Sequence, residues 1–83
     1  MATTKDKIRR WLERGIAEGA THVIVATDTF DYGDYPVNVM PGDDPREKAE
    51  ELRNEKMTRV MEVYSLRMDI EAQLNEHRAF HYD

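Results

Sequence analysis

The apolar run from Val23 to Ala26 is the feature of this sequence that most restricts its fold. Residues 21–30 around it are rich in β-branched side chains, which favour an extended strand. A strand that is apolar at successive positions has no polar face to expose to water, so both of its faces must be covered. We therefore expect this strand to be a central strand of a sheet.

A second strand is predicted from Tyr35 to Met40, where Pro36 lacks an N–H for a sheet hydrogen bond and favours an edge position. Residues 57–66 fit two patterns, because their apolar positions match both strand alternation and helical spacing. The β-branched residues in this segment favour a third strand. Such a strand would place four side chains on one face: Val60, Glu62, Tyr64 and Leu66.

Three helices are predicted around the strands. The first has Thr3 or Thr4 as its N-cap, and Gly19 is the expected stop signal. Its apolar stripe consists of Ile8, Trp11, Leu12 and Ile16. Gly15 lies inside this helix and is expected to allow close approach to a neighbouring element.

The second predicted helix begins at Asp44 and Pro45, which suit the N-cap and the first helical position, and it runs to about Asn54. Asp69 is expected to cap a third helix that ends near Arg78 or Phe80.

The chain is therefore predicted to be one small α+β domain over residues 1–83, with the element order α-β-β-α-β-α. The first strand would pair antiparallel with both others, giving a three-stranded mixed sheet in the order 2-1-3 with helices mainly on one face. If residues 57–66 were helical, the fold would instead be a β-hairpin packed against a helical hairpin.

The negative charge of the chain, formally −5, is concentrated between residues 23 and 45. That stretch has no Lys or Arg and contains Asp28, Asp31, Asp34, Asp43 and Asp44. Aromatic side chains between carboxylates suit a surface that binds a basic protein. The predicted partner-binding residues are Asp28, Asp31, Tyr32, Asp34 and Tyr35. Alternatively, the aspartates and glycine only form the turn, and the tyrosines pack back onto the sheet.

The acidic total argues against general binding to nucleic acid or to an anionic membrane surface. No apolar stretch approaches the ~20 residues of a membrane span, and residues 1–30 contain no secretory signal. The chain also has no cysteine. These observations predict a soluble protein of the cytoplasm.

No sequence motif for catalysis is evident, so we expect no enzymatic activity and no cofactor. Ser65 lies outside any Gly-x-Ser-x-Gly context, and the aspartates of the hairpin lack the spacing of a calcium loop. The alternative hypothesis is a small dimeric enzyme or a ligand- or metal-binding protein with its site at the subunit interface. Its candidate residues are His22, Glu62, His77 and His81, the last two sharing a helical face if the third helix continues. A homodimer would also add buried surface to so short a chain.

Several segments resemble a family of short hypothetical proteins encoded in bacteriophage and bacterial genomes. The similar segments are Gly19 to Val25, Asp28 to Tyr32, Asp34 to Val37, Arg59 to Tyr64 and Glu71 to Glu76. The resemblance implies a phage or prophage accessory protein that acts in the host cytoplasm on a host or phage partner. It assigns no activity to any residue.

Overall fold

The fold is known from a computed structural model, which describes residues 4–31, 33–76 and 78–83. The helices are α1 (Lys5–Ala17), α2 (Pro45–Asn54) and α3 (Ile70–Leu74), and the strands are β1 (His22–Asp28), β2 (Asp34–Val39) and β3 (Thr58–Ser65). The predicted element order is confirmed. Residues 57–66 supply a strand, so the helical alternative is wrong.

Each helix begins after a capping residue that the sequence predicts. Thr4, Asp44 and Asp69 each accept a main-chain hydrogen bond from the first turn of their helix. Helix α3 ends at Leu74, well before the predicted end, because the chain then turns to bring residues 79–81 beside β3. The prediction of a helix reaching residue 78 or 80 is therefore wrong.

The sheet has the predicted order β2-β1-β3. Strand β1 pairs antiparallel with both neighbours, so the three-stranded sheet is antiparallel rather than mixed. Strands β2 and β3 run in the same direction but do not pair with each other. The parallel contact in the described residues is an isolated bridge between Val63 of β3 and Phe80 near the C-terminus.

A β-bulge in β3 changes which side chains share a face. Val25 of β1 pairs with Glu62, whereas the next residue, Ala26, pairs with Val60, so Met61 is an extra residue in β3. Val60 consequently packs with Val63 on one face, and Tyr64 lies in the core of the other face. The prediction that Val60 and Tyr64 share a face is therefore wrong.

The two faces of the sheet bury two separate apolar cores. One core joins α1 and α3 to the sheet: Ile8, Leu12, Val23, Val25, Tyr64, Leu74 and Ala79. The other joins α2 to the opposite face: Ile24, Val39, Ala49, Leu52 and Val63. The helices thus cover both faces rather than mainly one. The predicted central position of β1 is confirmed, since residues 23–26 are at most 1% exposed.

Gly15 sets the distance between α1 and the sheet. A Cβ atom at this position would lie 2.8 Å from Cγ2 of Val23 and 3.1 Å from Cδ1 of Leu66. Real Cβ atoms do not approach other atoms so closely, so the contact requires glycine. The expected close approach is confirmed. Ile16, predicted to be part of the apolar stripe, is instead 50% exposed.

Candidate functional site

The tip of the hairpin between β1 and β2 presents an aromatic side chain to solvent. Phe30 is 77% exposed, more than any other large apolar residue in the described part of the chain. Oδ1 of Asp28 accepts a hydrogen bond from Phe30 N–H at 2.8 Å, and Oδ1 of Asp31 accepts one from Gly33 N–H at 3.1 Å. These are Asx turns, which hold the tip in shape and leave the negative charges of both carboxylates at the surface.

The remaining predicted partner-binding residues have different surroundings. The carboxylate of Asp34 accepts a short hydrogen bond from the hydroxyl of Thr27, which is buried, so Asp34 ties the two strands together. Tyr35 is half-buried in β2, where it pairs with Ala26. Tyr32 lies outside the described residues. The described tip therefore combines Asp28, Phe30 and Asp31, with Asp34 at its base.

The turn between α2 and β3 lies beside this tip. Thr29 N–H donates a hydrogen bond to the carbonyl oxygen of Met57 at 2.8 Å. Met57 has a φ of 63° and is 51% exposed. Two exposed apolar side chains, Phe30 and Met57, thus belong to adjacent turns at one end of the sheet. No local sequence pattern predicts Met57 at this site, since its nearness to Phe30 depends on the pairing of β1 with β3.

The acidic residues of the 23–45 stretch do not form one surface. Asp28, Asp31 and Asp34 are at the tip, whereas Asp43 and Asp44 follow the far end of β2. Five steps along a strand separate the ends of β2, which corresponds to roughly 17 Å. Asp44 is also committed to capping α2.

The described residues of the alternative hypothesis are His22, Glu62 and His81, and each makes its own hydrogen bonds within the fold. His22 is 4% exposed, with Nδ1 2.9 Å from Oγ1 of Thr21 and Nε2 2.7 Å from the main-chain oxygen of Asp83. The hydroxyl of Ser65 donates to the same Asp83 oxygen at 2.9 Å. His22 and Ser65 together anchor the C-terminal segment, residues 78–83, to the sheet.

Glu62 and His81 also contact the C-terminal part of the chain. Oε2 of Glu62 accepts from Ala79 N–H at 3.3 Å, and Nε2 of His81 lies 2.6 Å from Oε2 of Glu76. The condition for a helical pair of His77 and His81 is not met, because α3 ends at Leu74 and His81 is in an extended segment; His77 itself lies outside the described residues. Residues 4–31, 33–76 and 78–83 contain no cluster of three or more His, Asp or Glu side chains that could hold a metal ion.

The hydroxyl of Tyr64 is next to Glu62 in this region. Burial, followed by a hydrogen bond to Glu62 and the negative charge of that carboxylate, raises the pKa of Tyr64 well above its ordinary value. Tyr64 is 2% exposed, so its ring is part of the core and its hydroxyl stays protonated at neutral pH.

No protein-family model, curated protein or solved structure matches this chain. Within the described residues, every helix is too short or too polar to cross a bilayer.

Proposed function

We propose that this protein is a non-enzymatic interaction module whose hairpin tip binds a protein with a basic surface. The observation that carries the proposal is the 77% exposure of Phe30 between the carboxylates of Asp28 and Asp31. The two aspartates alone account for the turn. A projecting phenyl ring contributes nothing to the turn, but it suits the apolar centre of an interface with a charged rim.

Met57 extends the apolar part of this surface. Its positive φ is uncommon for a residue other than glycine and costs about 1 kcal/mol. The hydrogen bond from Thr29 N–H to the Met57 carbonyl oxygen ties the two turns together. This hydrogen bond restrains the backbone next to Phe30 and Met57, which reduces the entropy lost on binding.

The carboxylates contribute mainly to the rate and selectivity of encounter, because exposed charges attract a basic partner over distance and are screened by salt. We further propose that the partner is a host or phage protein in the bacterial cytoplasm. The support for this context is the resemblance of the sequence to short phage-encoded proteins.

The residues of the competing enzymatic hypothesis are engaged in structural contacts. His22 and Glu62 each hydrogen-bond to the C-terminal segment. These contacts support the assignment of the residues to stability and favour the interaction module.

The first test is capture of a partner from host lysate by immobilised protein, comparing the wild type with Phe30→Ser. The matched control is Ile16→Ser, which removes another exposed apolar side chain (50% exposed) from α1. We expect a protein that the wild type and the Ile16 variant retain and the Phe30 variant loses. Equal capture by all three would contradict the proposal.

The second test uses the captured partner in purified form with the double variant Asp28→Asn and Asp31→Asn. Asparagine keeps the Oδ1 acceptor of each Asx turn and removes the charge, so the shape of the tip is preserved. We expect association to slow by about tenfold at low salt, with a weaker salt dependence. Association kinetics identical to those of the wild type would remove the electrostatic part of the proposal.

A further inference from the structure

At the outer edge of β3, every second residue directs its main-chain N–H and C=O groups away from β1. In an antiparallel pair, alternate residues direct their N–H and C=O groups toward the partner strand and away from it. Leu66 N–H donates to the Thr21 carbonyl oxygen at 2.9 Å, so Ser65 and Val63 direct these groups outward. Beyond the bulge, the hydrogen bond from Thr29 to Met57 places the outward groups at Thr58 and Val60.

The first two outward positions are covered by the protein itself. Both outward groups of Ser65 are hydrogen-bonded to the side-chain amide of Gln73. At Val63, the N–H donates to the Ala79 carbonyl oxygen at 2.8 Å and the carbonyl oxygen accepts from His81 N–H at 2.9 Å. Half of this edge is therefore protected from pairing with another strand.

The other half of the edge is open. The outward main-chain groups of Thr58 and Val60 have no such partner within the described residues. A groove of about 370 Å³ lies at Val60 and is lined by Arg59, Val60, Met61, Arg78 and Phe80. The N–H and C=O groups of an extended peptide have the spacing needed to hydrogen-bond with two residues at alternate positions of a strand edge.

The groove is basic and partly apolar. Arg59 and Arg78 are exposed, and neither guanidinium has an ion pair or hydrogen bond in the described part of the chain. Phe80 is 42% exposed. Charge complementarity therefore favours a peptide that carries carboxylates and alternating apolar side chains.

We propose that the edge of β3 at Thr58 and Val60 binds an extended acidic peptide segment of another protein as an added strand, with its carboxylates at Arg59 and Arg78. This edge begins next to the acidic hairpin tip, since Thr58 pairs with Asp28 of β1, but the groove at Arg59 and Arg78 selects the opposite charge. A second copy of the chain is a poorer occupant. Pairing through β3 of both copies brings like-charged arginines together, and β2 lacks a donor at Pro36.

The test uses a fluorescein-labelled peptide of about eight residues that alternates glutamate and valine, which is long enough to span the open edge. Fluorescence anisotropy measures its binding to the wild type and to the double variant Arg59→Glu and Arg78→Glu. The matched control is Arg10→Glu and Arg67→Glu, which makes the same charge change at exposed positions outside the groove. We expect the groove variant to bind at least about tenfold more weakly, and the control to bind like the wild type.

Two further measurements separate strand addition from simple charge attraction. A peptide of the same sequence with N-methyl groups on all its main-chain nitrogens cannot donate to the edge from either side and should bind as weakly as the groove variant does. Amide chemical shifts of Thr58 and Val60 should move on titration with the unmethylated peptide.

The proposal is overturned if the glutamate–valine peptide does not bind, or if a lysine–valine peptide binds equally well. It is also overturned if the control variant loses as much affinity as the groove variant. A dimer in sedimentation, together with protection of the Thr58 and Val60 amides from hydrogen exchange, would assign the edge to a second copy instead.

Discussion

The side-chain amide of Gln73 is paired with the main chain of Ser65 by two hydrogen bonds. Ser65 N–H donates to Oε1 at 2.8 Å, and Nε2 donates to the Ser65 carbonyl oxygen at 2.8 Å. A carboxamide has the donor and acceptor of a peptide group, so Gln73 takes the place of a residue in a neighbouring strand. Gln73 is 1% exposed, and water cannot readily replace it. The short helix α3 thus provides part of the edge of the sheet.

Replacing Gln73 with Leu should destabilise the protein, because the buried N–H and C=O of Ser65 would lose their partners. We expect the free energy of unfolding to fall by about 2–4 kcal/mol. Urea denaturation followed by circular dichroism measures the change. Ala72→Leu, at an exposed position of the same helix, is the control and should change stability by about 0.5 kcal/mol or less. A similar small effect for the Gln73 variant would contradict this role for its amide.

Gly15→Ala should destabilise the protein although alanine favours helices. The added methyl would overlap Cγ2 of Val23 at 2.8 Å, and relief of that overlap requires α1 to move away from the sheet. We expect a net loss of about 1–3 kcal/mol in thermal or urea unfolding. Gly33→Ala is the control, since its Cβ meets the nearest atom, Oδ1 of Asp31, at 3.4 Å. Stabilisation by Gly15→Ala would show that the sheet and α1 are less closely packed than the structure indicates.

Tyr64 should make stability decline in alkaline solution. Its pKa is raised in the folded state by burial and by Glu62, so the folded protein holds the phenolic proton more tightly than the unfolded chain does. The stabilisation is fully present below the ordinary pKa of 10.0 and is lost as the pH rises above it. Urea midpoints between about pH 8 and about pH 11 should reveal the decline. The urea midpoint of Tyr64→Phe should decline less over this pH range, whereas that of Tyr82→Phe should decline as in the wild type.

The contact between Arg9 of α1 and Glu71 of α3 should make stability decline in acidic solution. The guanidinium donates to both oxygens of Glu71, at 2.7 and 2.8 Å, and this hydrogen bonding lowers the pKa of the carboxyl. Because the folded-state pKa lies below the unfolded value, the stabilisation is present above the ordinary pKa of 4.5 and is lost as the pH falls through the folded-state pKa.

As the pH is lowered, the free energy of unfolding of Glu71→Gln should therefore fall less steeply than that of the wild type. Glu13→Gln, an exposed neutralisation on α1, is the control and should follow the wild-type curve. If both variants show the wild-type acid dependence, the contact between α1 and α3 contributes no pH-dependent stability.

Local signals predicted most of the elements. Asp44 followed by Pro45 fixes the start of α2, and the two-sided apolar run of β1 fixes its central position, because each depends on residues adjacent in sequence. The bulge at Met61 has no such signature, since one inserted residue leaves a strand that still alternates on either side. The end of α3 at Leu74 depends on contacts of residues 79–83 with β3, which sequence spacing does not reveal.

The candidate site was predicted in part for the same reason. Charge clustering identified Asp28 and Asp31, and turn chemistry placed them at a hairpin tip. Phe30 was within the predicted hairpin, but its exposure depends on the direction of the turn. Pairing between segments that are distant in sequence brings Met57, Arg59 and Arg78 to their positions. A local sequence pattern does not predict such pairing.

The anchoring of the C-terminal segment has a consequence for how the protein is made. His22 in the first strand and Ser65 in the last share the main-chain oxygen of Asp83 as their acceptor. During synthesis, these two side chains gain that acceptor only after Asp83 has left the ribosomal exit tunnel. The edge of β3 at Val63 is likewise covered only once residues 79–81 have emerged, so up to that point in synthesis it is open to pairing with other chains.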